Sequence, residues 1–161
     1  MGMEFQVIEK EAFTVTGKMR EVSSKDGSNL TDIPAFWQEC GRDGTFMKLE
    51  ALGEDHDMLG ICMDFDGQGG FHYLIGVRTA TDQADTEEFV SRVIPAAAWA
   101  VFTSIGPMPG AIQQVWQQIY QDWFPTSGYQ HAPGPELEVY PPGDTMRDDY
   151  RCEVWIPVVK K

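Results

Sequence analysis

Two periods alternate along the chain, and each predicts an element. From Glu4 to Val22, "EFQVIEK" and "FTVTGKMREV" are rich in β-branched and aromatic residues and read as two strands, followed by the polar loop "SSKDGSN". Ile33, Phe36, Trp37 and Cys40 then fall at helical spacing, with Thr31 or Asp32 as cap and Pro34 in the first turn. "MLGICMDF" and "FHYLIGV" read as two further strands joined by the glycine-rich turn "DGQGG". The order then repeats. "EEFVSRVI" and "AAWAVFTSI" form a second strand pair, and "GPMPG" marks the break before a second helix. There Ile112, Val115, Trp116, Ile119, Tyr120 and Trp123 recur at i, i+3, i+4, i+7, i+8 and i+11, with Pro125 as the stop. "PELEVY" and "YRCEVWIPV" close the unit as a hairpin.

The pattern therefore predicts one pattern written twice, in half-repeats of about residues 4–80 and 87–159 within a single domain spanning 1–161. The polar stretch Thr79 to Glu88 is the seam. Each unit is a small antiparallel sheet with one helix, and the helix must bury its stripe on one sheet face. That is an α+β architecture. With the sheets joined edge to edge around a pseudo-twofold axis, both helices pack on one side, and the other faces are expected to line a cleft.

The last strand sharpens that expectation. Alternation sends Cys152, Val154, Ile156 and Val158 to one face and Glu153, Trp155 and Pro157 to the other. A carboxylate beside an indole on a strand suits a concave binding surface, because a cation over an aromatic ring gains roughly 0.5–2 kcal/mol and a charged partner adds to that. Glu153 is expected to border the cleft with Trp155, and Tyr73, Tyr120, Trp123, Trp99 and Phe65 are further lining candidates. Trp37 and Trp116 read as core.

Composition narrows the function. The formal net charge is −13, from 12 Lys plus Arg against 25 Asp plus Glu, so direct nucleic-acid binding is disfavoured and cations are attracted. Cys40, Cys62 and Cys152 lack metal-ligand spacing and read as buried thiols of a reduced, cytoplasmic protein. The longest near-apolar run, Val93 to Phe102, is too short to span a bilayer. His56 and His131 fall in loops, and His72 on a strand. No metal site and no cofactor is expected, and "DFDGQGG" reads as a turn, because it lacks the third acidic ligand and distal glutamate of a calcium loop.

The stretches W-x3-Y-x2-W-F-P-x-S-G-Y, L-E-x-Y and E-x-W-I-P-V, between about Arg92 and Val158, closely resemble the GyrI-like small-molecule-binding domain, the effector-binding domain of AraC-type and MerR-type regulators. "FHYLIGV" and "MLGICMDF" extend the resemblance more loosely over the first half. The resemblance implies a tandem β-α-β-β fold, an aromatic cleft, and a last-strand glutamate, here Glu153, that contacts cationic or polar ligands. It implies a stand-alone sensor or sequestrant, since the chain has no room for a DNA-binding helix-turn-helix. A small molecule is the expected partner; a regulator or a topoisomerase is a further protein partner it suggests, with no membrane. The alternative it carries is a hydrolase of cyclopropane-bearing toxins in which Glu153 is catalytic and activates water.

Overall fold

The computed structural model describes residues 4–80 and 86–161. The middle of the expected seam, residues 81–85, lies outside them. The strands are β1 (Phe5–Lys10), β2 (Phe13–Ser23), β3 (Met58–Met63), β4 (Gly70–Thr79), β5 (Val90–Ile94), β6 (Ala97–Ile105), β7 (Tyr129–His131), β8 (Glu136–Tyr140) and β9 (Arg151–Lys160). The helices are α1 (Asn29–Arg42), α2 (Thr45–Leu52) and α3 (Gly110–Gln118). Beyond α3 the chain continues through a π turn, Ile119–Trp123, into a last helical turn, Phe124–Thr126. Among the described residues the architecture is α+β, an antiparallel sheet of nine strands with three helices.

Two elements differ from the sequence reading. α2 is an addition: Phe46 packs against the first-half core and Leu49 lies within it, three residues on, in a helix too short to show a repeating stripe. The Asp43 carboxylate starts it by accepting from the Thr45 N–H and hydroxyl at 3.0 and 2.5 Å. β7 is three residues long and pairs only with the end of β9.

The strand order is β1-β6-β9-β8-β3-β4-β2-β5. Each first strand therefore leaves its own half: β1 pairs with β6, and β5 pairs with β2. The connectors that make this exchange, residues 11–12 and 95–96, are two residues each. In a flat sheet β1 and β2, or β5 and β6, would stand six spacings apart, about 29 Å. Three Cα steps reach only about 11 Å. The sheet must curl until its ends approach. Val15, Leu59, Ile61, Ile94, Trp99 and Trp155, drawn from strands across the whole order, fill the inside of the curl. The helices cover the other face. There α3 packs on Phe102, Val154 and Ile156, and α1 and α2 pack on Tyr73, Ile75 and Val77. Both helical layers thus stand on one side of the sheet, apart from each other, above the central pair β3–β8.

Candidate functional site

The gap between the helical layers is a cleft of about 1060 Å³. Its floor is the central pair, in which Met58, Gly60 and Cys62 of β3 stand opposite Tyr140, Glu138 and Glu136 of β8. One strand of the floor is apolar and its partner is acidic and hydroxylic. Ile33, Pro34 and Trp37 of α1 form one wall; Ile112, Trp116 and Tyr120 form the other. Phe65, on the β3–β4 turn, stands half-exposed at the mouth. That turn is closed by Asp66 Oδ1, which accepts from the Gln68 and Gly70 N–H groups at 2.7 and 2.9 Å.

Glu138 is the centre of the floor, and it is buried. One carboxylate oxygen accepts from the Tyr73 hydroxyl at 2.6 Å, and the other from the Trp116 indole N–H at 2.8 Å. Trp37 in turn donates its indole N–H to the Tyr73 oxygen at 2.9 Å. The two walls therefore converge on one carboxylate through an indole each, α3 directly and α1 through a phenol. Gly60 makes this possible: a Cβ there would lie 2.1 Å from the Tyr73 hydroxyl oxygen and 2.9 Å from Glu138 Oε1. Burial pushes the Glu138 carboxyl above its ordinary range, against the pull of its donors Tyr73, Trp116 and Tyr140. Among the described residues no lysine, arginine or histidine pairs with it.

Glu136 lies two residues earlier on the same face. It accepts from the Tyr120 hydroxyl and meets His131 Nε2 at 3.0 Å. Burial drives the Tyr120 phenol strongly upward, and burial next to these carboxylates does the same to Tyr73 and Cys62. All three stay neutral through the physiological range.

Of the residues singled out in the sequence, Tyr73, Tyr120 and Phe65 come together at this cleft. Four others do not. Glu153 and Trp155 do share a face as alternation requires, but it is the face inside the curl. There Glu153 accepts from the Trp155 indole at 3.1 Å, and Trp155 is flanked by Lys10 and Arg78. Trp99 is fully buried on that face against Trp155, with ring centroids 5.9 Å apart. Trp123, carried round by the π turn, packs in the second-half core against Phe102 and Tyr129. The displacement has one cause. The cleft opens on the helix-covered face, between the layers, because the opposite face closes on itself.

The sequence reading passed over Glu138 and Glu136, and it assigned Trp37 and Trp116 to the core and His131 to a loop. Glu138 had the same signal as Glu153, a carboxylate between two strand hydrophobes, Leu137 and Val139. Its register on Gly60 and Val154 is what turns it toward the helices. Among the described residues no helix is long and apolar enough to cross a membrane.

The chain is 26% identical over 156 residues to a DNA gyrase inhibitor of Erwinia billingiae, an alignment that covers 88% of this chain and 94% of that protein. It is 28% identical over 142 residues to the transcriptional regulator BrlR of Pseudomonas aeruginosa, covering 86% of this chain but 48% of the regulator, so it spans about half of that protein's length. Among solved structures, SAV2435 bound to tetraphenylphosphonium superposes with a TM-score of 0.85 at 24% identity, over 98% of this chain and 94% of that one. The model of the integron-associated effector binding protein family, Cass2, matches residues 6–158, and the chain belongs to that family of GyrI-like effector-binding domains.

Proposed function

We propose that the chain captures a largely apolar molecule bearing one positive charge, with Glu138 as counter-charge and Trp37 and Trp116 as aromatic walls, and that it acts as a sensor or sequestrant of such molecules. One observation carries this reading. A buried carboxylate with a raised pKa, hydrogen-bonded but without a cationic partner among the described residues, forms the centre of an open aromatic cleft. Burying such a charge costs free energy unless it is paired, and a bound cation supplies the pair. Hydrogen bonds from Tyr73 and Trp116 hold the carboxylate oxygens in place, so the cation meets a preorganised group.

Tetraphenylphosphonium, carried by the structural relative SAV2435, is a suitable probe because its charge is permanent and its surface apolar. Titration calorimetry at pH 7.5 is expected to show saturable binding that weakens by about tenfold or more in Glu138→Gln, the size of one charge-assisted contact. Equal affinity in the two proteins would exclude Glu138 as the counter-charge. Glu153→Gln serves as the control and is expected to bind like the parent protein.

A further inference from the structure

The second carboxylate of the floor has a partner that the first lacks. His131 Nε2 lies 3.0 Å from Glu136 Oε2, and His131 Nδ1 lies 2.5 Å from the Ala132 carbonyl oxygen. Both ring nitrogens thus face oxygens, and a carbonyl and an ionised carboxylate only accept. Both nitrogens donate only in the imidazolium form. The histidine approaches from outside the cleft: its ring stacks near Phe124, at 6.1 Å between centroids, and lines a separate hollow that also contains Asp64 and Arg92. Tyr120 approaches Glu136 from the cleft side. Glu136 is therefore the partition between the two spaces, donated to from each.

The other titratable and charged groups around this pair, among the described residues, are Cys62, directly across on β3, Tyr120 on the wall, Glu138 along β8, and Asp64 and Arg92 in the outer hollow. Burial holds the Cys62 thiol and the Tyr120 phenol well above neutral pH. His131 is then the member of this cluster whose change of charge acts on Glu136 itself, while any change at Glu138 acts on singly and doubly charged ligands alike.

We infer that Glu136 is a second cation-recognising group of the cleft, its charge masked by the His131 imidazolium and released when His131 deprotonates, so that the site admits dications increasingly well as pH rises. The inference rests on the reading of Glu138 given above. Glu136 and Glu138 are two residues apart on one strand, about 6.6 Å along it. A fitting ligand carries two cationic centres separated by about the width of one aromatic ring. The hydrogen bond to Glu136 raises the His131 pKa from its ordinary value of 6.5, so release begins above that pH.

The test compares N-(4-methylbenzyl)pyridinium with p-xylylene-bis(pyridinium), which share a core and carry permanent charges, so that neither probe titrates. Affinities for both are measured by calorimetry from pH 6 to pH 9. The ratio of dication to monocation affinity is expected to rise roughly tenfold across that range, the worth of one further charge-assisted contact. In His131→Gln, where no imidazolium masks Glu136, the ratio is expected to be high and flat. In Glu136→Gln it is expected to be low and flat. A flat ratio in the parent protein, with monocation binding still dependent on Glu138, would overturn this inference and leave the first reading standing. Failure of either probe to bind in a Glu138-dependent way would remove both. The pH profile of the parent protein together with the near-isosteric Glu138→Gln decides the matter, so poor folding of the His131 or Glu136 variant does not blunt the test.

Discussion

Glu138 is buried at the centre of the floor, where its carboxylate meets hydroxyl and indole donors but no cation among the described residues. Its folded pKa is raised by burial, so ionisation costs more in the native state than in the unfolded chain. The sign follows: stability associated with this group is greatest below its unfolded value, near 4.5, and is lost as pH rises through the folded value. Glu138→Gln keeps the shape and removes the charge. The ligand-free variant is expected to melt higher than the parent protein at pH 7.5, by roughly 2–4 °C for each kcal/mol relieved in a chain of this size. The gain should shrink toward pH 4. Calorimetric melting across that range checks it, and a lower melting temperature at pH 7.5 would show that the lost hydrogen bonds outweigh the buried charge. The residue's position also marks where sequence reasoning stopped. Alternation correctly separated Glu153 and Trp155 from Cys152 and Val154, yet it does not tell which face opens to ligand. That depends on where α1 and α3 stand relative to each other, a property of the assembled sheet.

Among the elements, periodicity revealed those long enough to repeat. α1, α3 and the strand pairs β3–β4 and β8–β9 were legible because their apolar residues recur over two or more turns or along a whole strand face. α2 was not, since it depends on a local device that hydropathy does not record. Asp43 receives two bonds from Thr45 and one from Lys18 at 3.0 Å, and these, the Thr45 hydroxyl foremost, hold its carboxyl down to about 2 from 3.8. A lowered folded pKa contributes stability above the unfolded value and loses it as pH falls through the folded one. Asp43→Asn is therefore expected to lower the melting temperature at pH 7, with the difference closing between about pH 4 and pH 2. Hydrogen exchange should report the loss first at the amides of Thr45 to Leu52.

At the scale of the whole molecule, the exchange of β1 and β5 was invisible in the sequence. The linear order of strands is compatible with each half keeping its own first strand, and the pairing partners lie far along the chain. The physical consequence is mutual dependence. Residues 4–80 alone would leave β1 without β6, and the inside of the curl without Trp99, Leu137 and Trp155. Each half expressed by itself is expected to be unfolded or aggregated by circular dichroism and gel filtration. The two coexpressed as separate chains, divided between residues 80 and 86, are expected to copurify as one folded unit. Independent folding of either half would show that the exchanged strands are dispensable.

The floor of the cleft also sets a direction. Across the central pair Glu138 faces Gly60, which has no side chain, and Glu136 faces the neutral thiol of Cys62. An architecture built from two similar halves would present a visitor with two equivalent ways to lie down. Placing both carboxylates of the floor on β8 abolishes that equivalence. On the proposed function, an elongated guest is expected to enter head and tail distinguished, its charged end toward β8 and its apolar end toward β3, and so to take a single pose.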